Sequence, residues 1–218
     1  MQKVVFLDRQ SLNANVRKPS FDHEWEEYDQ TLPNEVVTRL SGATIALTNK
    51  VPIRKETLNQ LPDLKLIAVA ATGYDVIDLG ACKEKGVSVA NIRNYAVNTV
   101  PEHTFALILA LKRNLIAYRN DVLDGRWQKH DQFCFFDYRI SDLRNSTIGI
   151  FGEGALGQGT AKIAKGFGMK VLFADHPPPK ADGVEFTDAE EVLKRSDIIF
   201  FTLSSHGFFP RIHWNGAI

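Results

Sequence analysis

Short apolar runs alternate with helical patterns along the first hundred residues. The apolar runs predict strands of a parallel sheet, because such strands are covered on both faces and read as continuous hydrophobic stretches. The predicted strands are Val4–Leu7, Thr44–Leu47, Leu66–Ala70 and Val87–Ala90. The predicted helices are Pro33–Leu40, Arg54–Leu61 and Val76–Lys85. The acidic segment Asp22–Asp29 predicts neither. Alternating strands and helices indicate an α/β domain.

A long helix is predicted to start near residue 100. The sequence Thr99-Val100-Pro101-Glu102 fits a capping box in which Thr99 caps the helix and the Glu102 side chain reaches back to it. The stretch Phe105–Leu111 is apolar on every side of the helix, which predicts burial between layers, domains or subunits. Because the cap accounts for Glu102, we assign no acid–base role to Glu102 and His103.

An aromatic connector follows this helix, with the sequence Phe133-Cys134-Phe135-Phe136-Asp137-Tyr138. So many aromatic residues outside a periodic element predict a buried arm or a subunit contact. Stacking on a nucleic acid would need more basic residues than Lys129 and Arg139.

The most informative motif is a glycine turn. The apolar strand Thr147–Phe151 runs into Gly152-Glu153-Gly154-Ala155-Leu156-Gly157, and a helical pattern and the apolar run Val171–Ala174 follow. In a dinucleotide site the first glycine makes the turn, the second lets a pyrophosphate approach the backbone, and the third lets helix and strand pack closely. The helix N-terminus adds free N–H groups and the positive end of its dipole. A plain α/β turn is the alternative, but strand, glycines and helix together favour a dinucleotide.

Asp175 stands at the end of the second strand of this unit. A carboxylate at that position can accept hydrogen bonds from both hydroxyls of the adenosine ribose, and it repels a 2′-phosphate. The sequence therefore predicts NAD as the cofactor rather than NADP.

Beyond Asp175, the sequence predicts a short helix at Asp188–Lys194 and a third strand at Asp197–Leu203. These elements complete the first βαβαβ half of a dinucleotide fold, whose full strand order is 3-2-1-4-5-6. In that order the strand Thr147–Phe151 is central. We therefore expect that a chain ending after its third strand leaves one edge of Thr147–Phe151 unpaired and prone to association. Residues Ser204–Ile218 show no periodicity.

A second candidate site is the loop Thr72-Gly73-Tyr74, which follows a predicted strand. Ligands of open parallel sheets bind beyond the carboxyl ends of the strands. Gly73 can bring backbone N–H groups against a small anion, and Thr72 can add a hydroxyl. From the local sequence alone, an ordinary βα loop with a glycine is the alternative.

Composition narrows the function classes. The 26 basic residues balance the 26 acidic ones, so there is no bulk electrostatic case for binding nucleic acid or an anionic membrane. Cys82 and Cys134 are far apart and show no metal-ligand spacing, so we expect reduced thiols and no metal site. The N-terminus reads as a strand rather than a signal peptide, and no apolar run approaches membrane-spanning length. We expect a cytoplasmic protein.

Taken together, these stretches resemble the D-isomer-specific 2-hydroxyacid dehydrogenase family, and within it the glycerate dehydrogenase branch, also called hydroxypyruvate reductase. The resemblance runs from Met1 to about Leu203. It rests on the aromatic connector, the glycine turn, and the sequences Leu47-Thr48-Asn49-Lys50, Ala71-Thr72-Gly73-Tyr74-Asp75 and Phe167-Gly168-Met169-Lys170-Val171.

The resemblance implies a division of the chain. It implies a flavodoxin-like parallel-sheet substrate domain at residues 1–98, a long helix and dimerisation arm at 99–146, and a partial Rossmann NAD-binding domain at 147–203. Residues 204–218 are unmatched. It also implies an active site in the cleft between the two domains, and a homodimer held by the long helix and the arm.

The resemblance implies the roles of individual residues as well. Thr72, Gly73 and Tyr74 would hold the carboxylate of a small 2-hydroxy or 2-keto acid, and Asp175 would bind the adenosine ribose of NAD. The glycine turn would hold the pyrophosphate, and its residues are Gly152, Glu153, Gly154, Ala155, Leu156 and Gly157.

The implied activity is an NAD-dependent oxidoreductase acting on the CH–OH group of a D-2-hydroxy acid. Family members carry a substrate-orienting arginine, a glutamate and an acid–base histidine beyond the third strand, and nothing here matches them. His206 and His213 lack the family's flanking residues, so we assign no catalytic residue and expect a truncated, inactive chain. The alternative is a non-catalytic NAD-binding sensor or interaction protein on the same fold.

Overall fold

The computed structural model describes residues 1–174 and 185–202. The chain divides into two compact units, Met1–Tyr95 and the part that begins at Ala96. Each unit has its own parallel sheet. Parallel sheets were the expectation from the apolar runs, and the α/β class is confirmed.

The first unit is a five-stranded sheet with short helices between the strands. In chain order its strands are β1 (Gln2–Phe6), β2 (His23–Glu27), β3 (Ile45–Thr48), β4 (Leu66–Val69) and β5 (Ser88–Asn91). Its helices are α1 (Val36–Arg39), α2 (Lys55–Leu58) and α3 (Leu79–Lys85). The spatial order β2-β1-β3-β4-β5 is that of a flavodoxin-like sheet.

Strand β2 is the element that the sequence pattern did not predict. It lies at the edge of the described sheet and pairs with β1, from Gln2 opposite His23 to Phe6 opposite Glu27. An edge strand needs no apolar cover on both faces, and charged side chains there discourage pairing with other chains. Three glutamates in five residues fit that position, which explains why the segment looked unlike a buried strand.

The second unit surrounds a four-stranded sheet. Its strands are β6 (Thr147–Phe151), β7 (Lys170–Ala174), β8 (Glu185–Thr187) and β9 (Ile198–Phe201). Its helices are α4 (Thr99–Lys112), α5 (Leu115–Leu123), α6 (Arg126–Lys129), α7 (Ala155–Gly166) and α8 (Ala189–Arg195). Helix α4 packs against α7, and Phe105 stacks on Phe167 with ring centroids 5.4 Å apart.

The expectation that one edge of Thr147–Phe151 is open is wrong. The order of this sheet is β8-β7-β6-β9, so β6 has a partner on both sides. The error was in the strand count: β8 is the third strand and lies outside β7, which makes β9 the fourth strand, and β9 crosses to the other side of β6. Ile148 and Ile150 are fully buried in a cluster against which Ile198 and Phe200 of β9 also pack.

Helix α4 differs from its sequence-based expectation in two respects. It begins at Thr99 with Asn98 as its N-cap, and no side chain caps it, so the capping box of Thr99 and Glu102 does not form. Burial is restricted to one face of the helix, with Pro101 and Phe105 inside and Leu111 77% exposed. Although the sequence of α4 is apolar on every side, a single chain buries only one face of the helix.

The aromatic connector is divided between packed and exposed rings. Phe135 and Tyr138 pack on Tyr118, with ring centroids 5.5 Å and 5.0 Å away, whereas Phe133 and Phe136 are both 85% exposed. The buried-arm interpretation is therefore wrong for these two rings within a single chain, and a subunit contact stays a prediction. None of the helices described here has the length and apolar character to cross a membrane.

Candidate functional site

The glycine turn begins where buried strand β6 ends. Gly152 has a φ of +109°, a backbone conformation that L side chains rarely adopt. A Cβ atom at this position would also lie against the main-chain oxygen of Thr202, just after β9. Only glycine fits here, because the chain turns sharply while it stays in contact with the neighbouring strand.

The third glycine of the motif lets helix α7 approach the turn. A Cβ atom on Gly157 would collide with the carbonyl oxygen of Gly152, which is main chain and has no rotamer by which to move away. Further along α7, Ala161 and Ala164 are buried against the sheet. Small residues thus hold the first turn of α7 close to the end of β6, as the motif predicts.

The middle glycine faces open space. A Cβ atom on Gly154 would have no neighbour within 4 Å among residues 1–174 and 185–202, and Gly154 and Ala155 are both exposed. Gly154 is the N-cap of α7, and neither a capping side chain nor an acidic residue occupies the first turn. The N-terminal N–H groups of a twelve-residue helix therefore point to a region that a phosphate group can enter.

Three further predicted cofactor residues, Glu153, Ala155 and Leu156, adjoin Gly154 in the chain. Ala155 and Leu156 form the first turn of α7. Glu153 is half-buried, and its Oε2 atom has no hydrogen-bond partner among the residues described. Asp175 lies outside the described residues, which reach Ala174 at the end of β7, so its role stays a prediction. His206 and His213 also lie outside them.

The loop Thr72-Gly73-Tyr74 follows the carboxyl end of β4, as predicted. The Thr72 hydroxyl donates a hydrogen bond of 3.0 Å to the carbonyl of Ile92, and the Asn91 side chain donates one of 2.7 Å to the carbonyl of Thr72. Thr72 and Gly73 are exposed, and their backbone N–H groups donate no hydrogen bond to any described residue. The free donors are thus main-chain N–H groups, and the Thr72 hydroxyl proton is already used.

Asp8 is a residue that the sequence analysis missed. Its side chain is only 5% exposed and accepts hydrogen bonds from the backbone N–H of Asn49 at 2.9 Å and of Lys50 at 2.7 Å. It thereby joins the end of β1 to the loop after β3, where the order of the sheet reverses. The signal was an aspartate directly after the apolar run Val4–Leu7. Among the described residues, no cluster of three or more potential metal ligands occurs.

Comparison with known proteins identifies the family to which this sequence is similar. The sequence profile of the D-isomer specific 2-hydroxyacid dehydrogenase catalytic domain matches residues 4–206. The chain is 56% identical over 199 residues to the glycerate dehydrogenase of Methylorubrum extorquens. The aligned region covers 91% of this chain and 62% of that protein. The likeness to this family and to its glycerate dehydrogenase branch is therefore confirmed.

Two solved structures share the fold. One is the acyclic imino acid reductase Bsp5 in complex with NADPH and D-Arg, with a TM-score of 0.76, 27% identity and coverage of 93% of this chain and 65% of that one. The other is the D-lactate dehydrogenase of Aquifex aeolicus complexed with NAD and lactic acid, with a TM-score of 0.70, 28% identity and coverage of 92% and 60%. The chain thus spans less than two thirds of the length of each of these relatives.

Proposed function

The chain belongs to the D-isomer specific 2-hydroxyacid dehydrogenase family, and on that premise we propose that it is part of an NAD-dependent glycerate dehydrogenase, an enzyme that interconverts glycerate and hydroxypyruvate. The observation that carries the proposal is the open glycine turn at the N-terminus of α7. The identity to the Methylorubrum extorquens enzyme supports glycerate as the substrate.

The residues of the turn fit a nicotinamide dinucleotide. The free N–H groups at the start of α7 would bind its pyrophosphate, and the space over Gly154 gives the phosphates room to approach. Asp175 would accept the adenosine ribose hydroxyls and select NAD over NADP. When bound, the cofactor gives a hydride to the substrate's carbon 2 or takes one from it.

The Thr72-Gly73-Tyr74 loop would hold the substrate carboxylate. Main-chain N–H groups such as that of Gly73 donate to a carboxylate without adding a charge of their own. The Thr72 hydroxyl and the Asn91 amide support the loop from behind through their bonds to the Ile92 and Thr72 carbonyls. We assign to Thr72 the role of shaping the loop, and to the exposed N–H groups that of binding the acid.

We do not expect this chain to turn over substrate by itself. Hydride transfer at an alcohol or ketone needs an acid–base group positioned on the substrate oxygen. No residue of this chain matches the family's catalytic histidine motif, so we propose a chain that binds cofactor without hydroxypyruvate-dependent NADH oxidation. We also propose that it acts in the cytoplasm as a homodimer, through the exposed side of α4 and the connector.

Calorimetric titration with NADH and with ADP-ribose tests the cofactor site. The decisive variant is Gly154→Asp, which places a carboxylate in the open space over the turn without a clash in the protein. We expect at least a tenfold loss of affinity, because the new charge repels the pyrophosphate. Gly166→Asp is the matched control, since it lies on the same helix and also has no neighbour within 4 Å.

Equal affinity of the two variants would overturn the assignment of the turn as the cofactor site. An assay for NADH consumption with hydroxypyruvate tests whether the chain is inactive. Turnover that is abolished by His206→Ala or His213→Ala would contradict the proposed inactivity. A nucleotide-dependent affinity for a macromolecular partner would instead favour a non-catalytic NAD sensor.

A further inference from the structure

A second recess opens at the other end of the sheet in the unit that begins at Ala96. Its volume is about 560 Å³, and polar side chains dominate its lining. Arg144 lies in the loop that leads into β6, Asp197 directly precedes β9, and Lys112 is the last residue of α4. Because the strands are parallel, this amino-terminal edge of the sheet faces away from the glycine turn at their carboxyl ends.

The recess carries unbalanced positive charge. Two carboxylates line it, and both are engaged: Asp142 pairs with Arg113 at 2.6 Å, and Asp197 accepts a hydrogen bond of 2.8 Å from the backbone N–H of Thr147. Three cations also line it, namely Lys112, Arg139 and Arg144. None of these three has an ion-pair partner within residues 1–174 and 185–202.

Neutral donors supplement the cations. The side chains of Ser141 and Asn145 line the same recess and make no hydrogen bond to the described part of the chain. The backbone around them is held in place, because Ser141 N–H donates to the Lys112 carbonyl at 2.9 Å and Asn145 N–H donates to the Gly168 carbonyl at 2.9 Å. A fixed backbone therefore presents free hydroxyl, amide and guanidinium groups to one space.

We propose that this recess binds a small phosphorylated molecule. Guanidinium groups match phosphate oxygens in a bidentate geometry, and a doubly charged anion compensates several cations at once. The volume exceeds that of a phosphate group alone, so the ligand class is an organic phosphate rather than the free ion. A nucleic acid is a poorer fit, because the chain has no net charge and the positive residues are confined to a recess.

Calorimetric titration at low ionic strength tests the site with two probes that differ only in the phosphate, glycerol 3-phosphate and glycerol. We expect saturable binding of the first probe alone. Arg144→Gln and Arg139→Gln should each weaken it by about tenfold, the loss expected for one charge-assisted hydrogen bond. Arg17→Gln is the matched control, since Arg17 is an exposed arginine of the first unit, and it should leave the affinity unchanged.

Inorganic phosphate serves as a third probe and separates the affinity for the phosphate group from the affinity for the organic part of the ligand. Weaker binding of phosphate than of glycerol 3-phosphate supports an organic ligand. The proposal is overturned if glycerol 3-phosphate does not saturate, if both recess variants bind it like the parent chain, or if Arg17→Gln weakens it equally. Loss of binding in Gly154→Asp with none in the recess variants would place the phosphate at the glycine turn and also overturn it. ADP-ribose binding should survive both recess variants, so failure here is distinct from failure of the cofactor site.

Discussion

The carbonyl oxygen of Gly152 occupies the space that a Cβ atom on Gly157 would need. The end of strand β6 and the first turn of α7 are therefore in direct main-chain contact, and the separation of the two glycines in the sequence reflects that contact. Between them in the sequence, a Cβ atom on Gly154 would meet no atom of the described part of the chain within 4 Å. The same three glycines thus perform two different tasks, close packing on one side and an opening on the other.

Gly157→Ala should destabilise the unit that begins at Ala96. Because the obstructing atom belongs to the main chain, α7 must move away from β6, and overpacking of this kind costs about 1–3 kcal/mol of unfolding free energy. Gly166→Ala, at the far end of α7 with no neighbour within 4 Å, is the control and should change stability by less than about 1 kcal/mol. Urea unfolding of both variants measures the difference. Equal stabilities would refute the packing argument.

Asp175→Ala should relax the cofactor preference. We expect the parent chain to bind NADH more tightly than NADPH, because the Asp175 carboxylate repels a 2′-phosphate and accepts the ribose hydroxyls. Without the carboxylate, NADH affinity should fall and NADPH affinity should rise, so that the ratio of the two dissociation constants moves by at least tenfold. Asp188→Ala is the control, since that carboxylate is used at the start of α8. Tighter binding of NADPH by the parent chain would disprove the assignment.

Removal of the Asp8 carboxylate should lower the free energy of unfolding of the first unit, because this one side chain accepts hydrogen bonds from two main-chain N–H groups. Asp8→Ala leaves the N–H groups of half-buried Asn49 and exposed Lys50 without their acceptor, and a hydrogen bond to a charged group contributes about 1.5–3 kcal/mol. Asp29→Ala, an exposed aspartate at the same end of the sheet, should be nearly neutral. Chemical denaturation compares them. A loss below about 1 kcal/mol for Asp8→Ala would mean that water replaces the carboxylate.

The ion pair of Lys3 and Glu26 should make part of the stability depend on pH. A hydrogen bond from Lys3 lowers the pKa of Glu26, as does one from Tyr28, while partial burial opposes them. A carboxyl with a lowered folded-state pKa stabilises the fold above its unfolded pKa, and that contribution is lost as the pH falls through the folded value.

Glu26→Gln should therefore be less stable than the parent at neutral pH by about 0.5 kcal/mol, a size typical of exposed pairs. The difference should vanish once acid protonates Glu26 in the parent. Glu27→Gln changes an exposed glutamate of the same strand whose carboxylate accepts a hydrogen bond from Trp25, and it serves as the control. A Glu26→Gln deficit that persists unchanged in acid would exclude the ion pair as its cause.

Sequence patterns predicted the elements whose residues are buried on both faces. Val4 and Val5 lie on a strand read directly from its apolar run; as neighbours in a strand they point to opposite faces, and both are buried. The patterns failed where the environment is one-sided: Glu24 and Glu26 lie on an edge strand, and strand β8 has only three residues beside β7. A linear motif also contains no information on which side of β6 a later strand pairs, so the place of β9 needed the structure.

Part of the candidate site could likewise be predicted from the sequence, and part could not. The glycine turn was predictable because its glycine spacing, directly after a strand and at the start of a helix, is the pattern of a dinucleotide site. The role of Asp8 was not, since its partners Asn49 and Lys50 are about forty residues away and are main-chain groups that any residue type supplies. The use of the Thr72 hydroxyl was likewise set by a distant carbonyl, that of Ile92.

The exposed apolar side of α4, α5, α6 and the connector should mediate dimer formation. We name it the arm surface, and its members are each more than half exposed: Leu107, Leu111, Ile116, Leu123, Trp127, Phe133 and Phe136. Helix α4 contacts α5, and α5 contacts α6, and exposed apolar residues gathered on neighbouring elements mark an interaction site. Hydrogen bonds order the connector before any contact: Arg126 donates to Asp121 at 2.7 Å and to Asp137 at 2.6 Å.

Phe136→Ser provides the test, because a two-fold interface doubles the effect of each substitution. Burial of an exposed phenylalanine contributes about 1.5–3 kcal/mol, so loss of one ring from each protomer should raise the dimer dissociation constant by at least about a hundredfold. Sedimentation equilibrium measures that constant, and thermal melting checks that the variant folds. Phe21→Ser, which removes a 47% exposed ring from the first unit, should leave it unchanged. A parent chain that stays monomeric at high concentration, or an equal effect of both substitutions, would contradict the arm surface as the dimer contact.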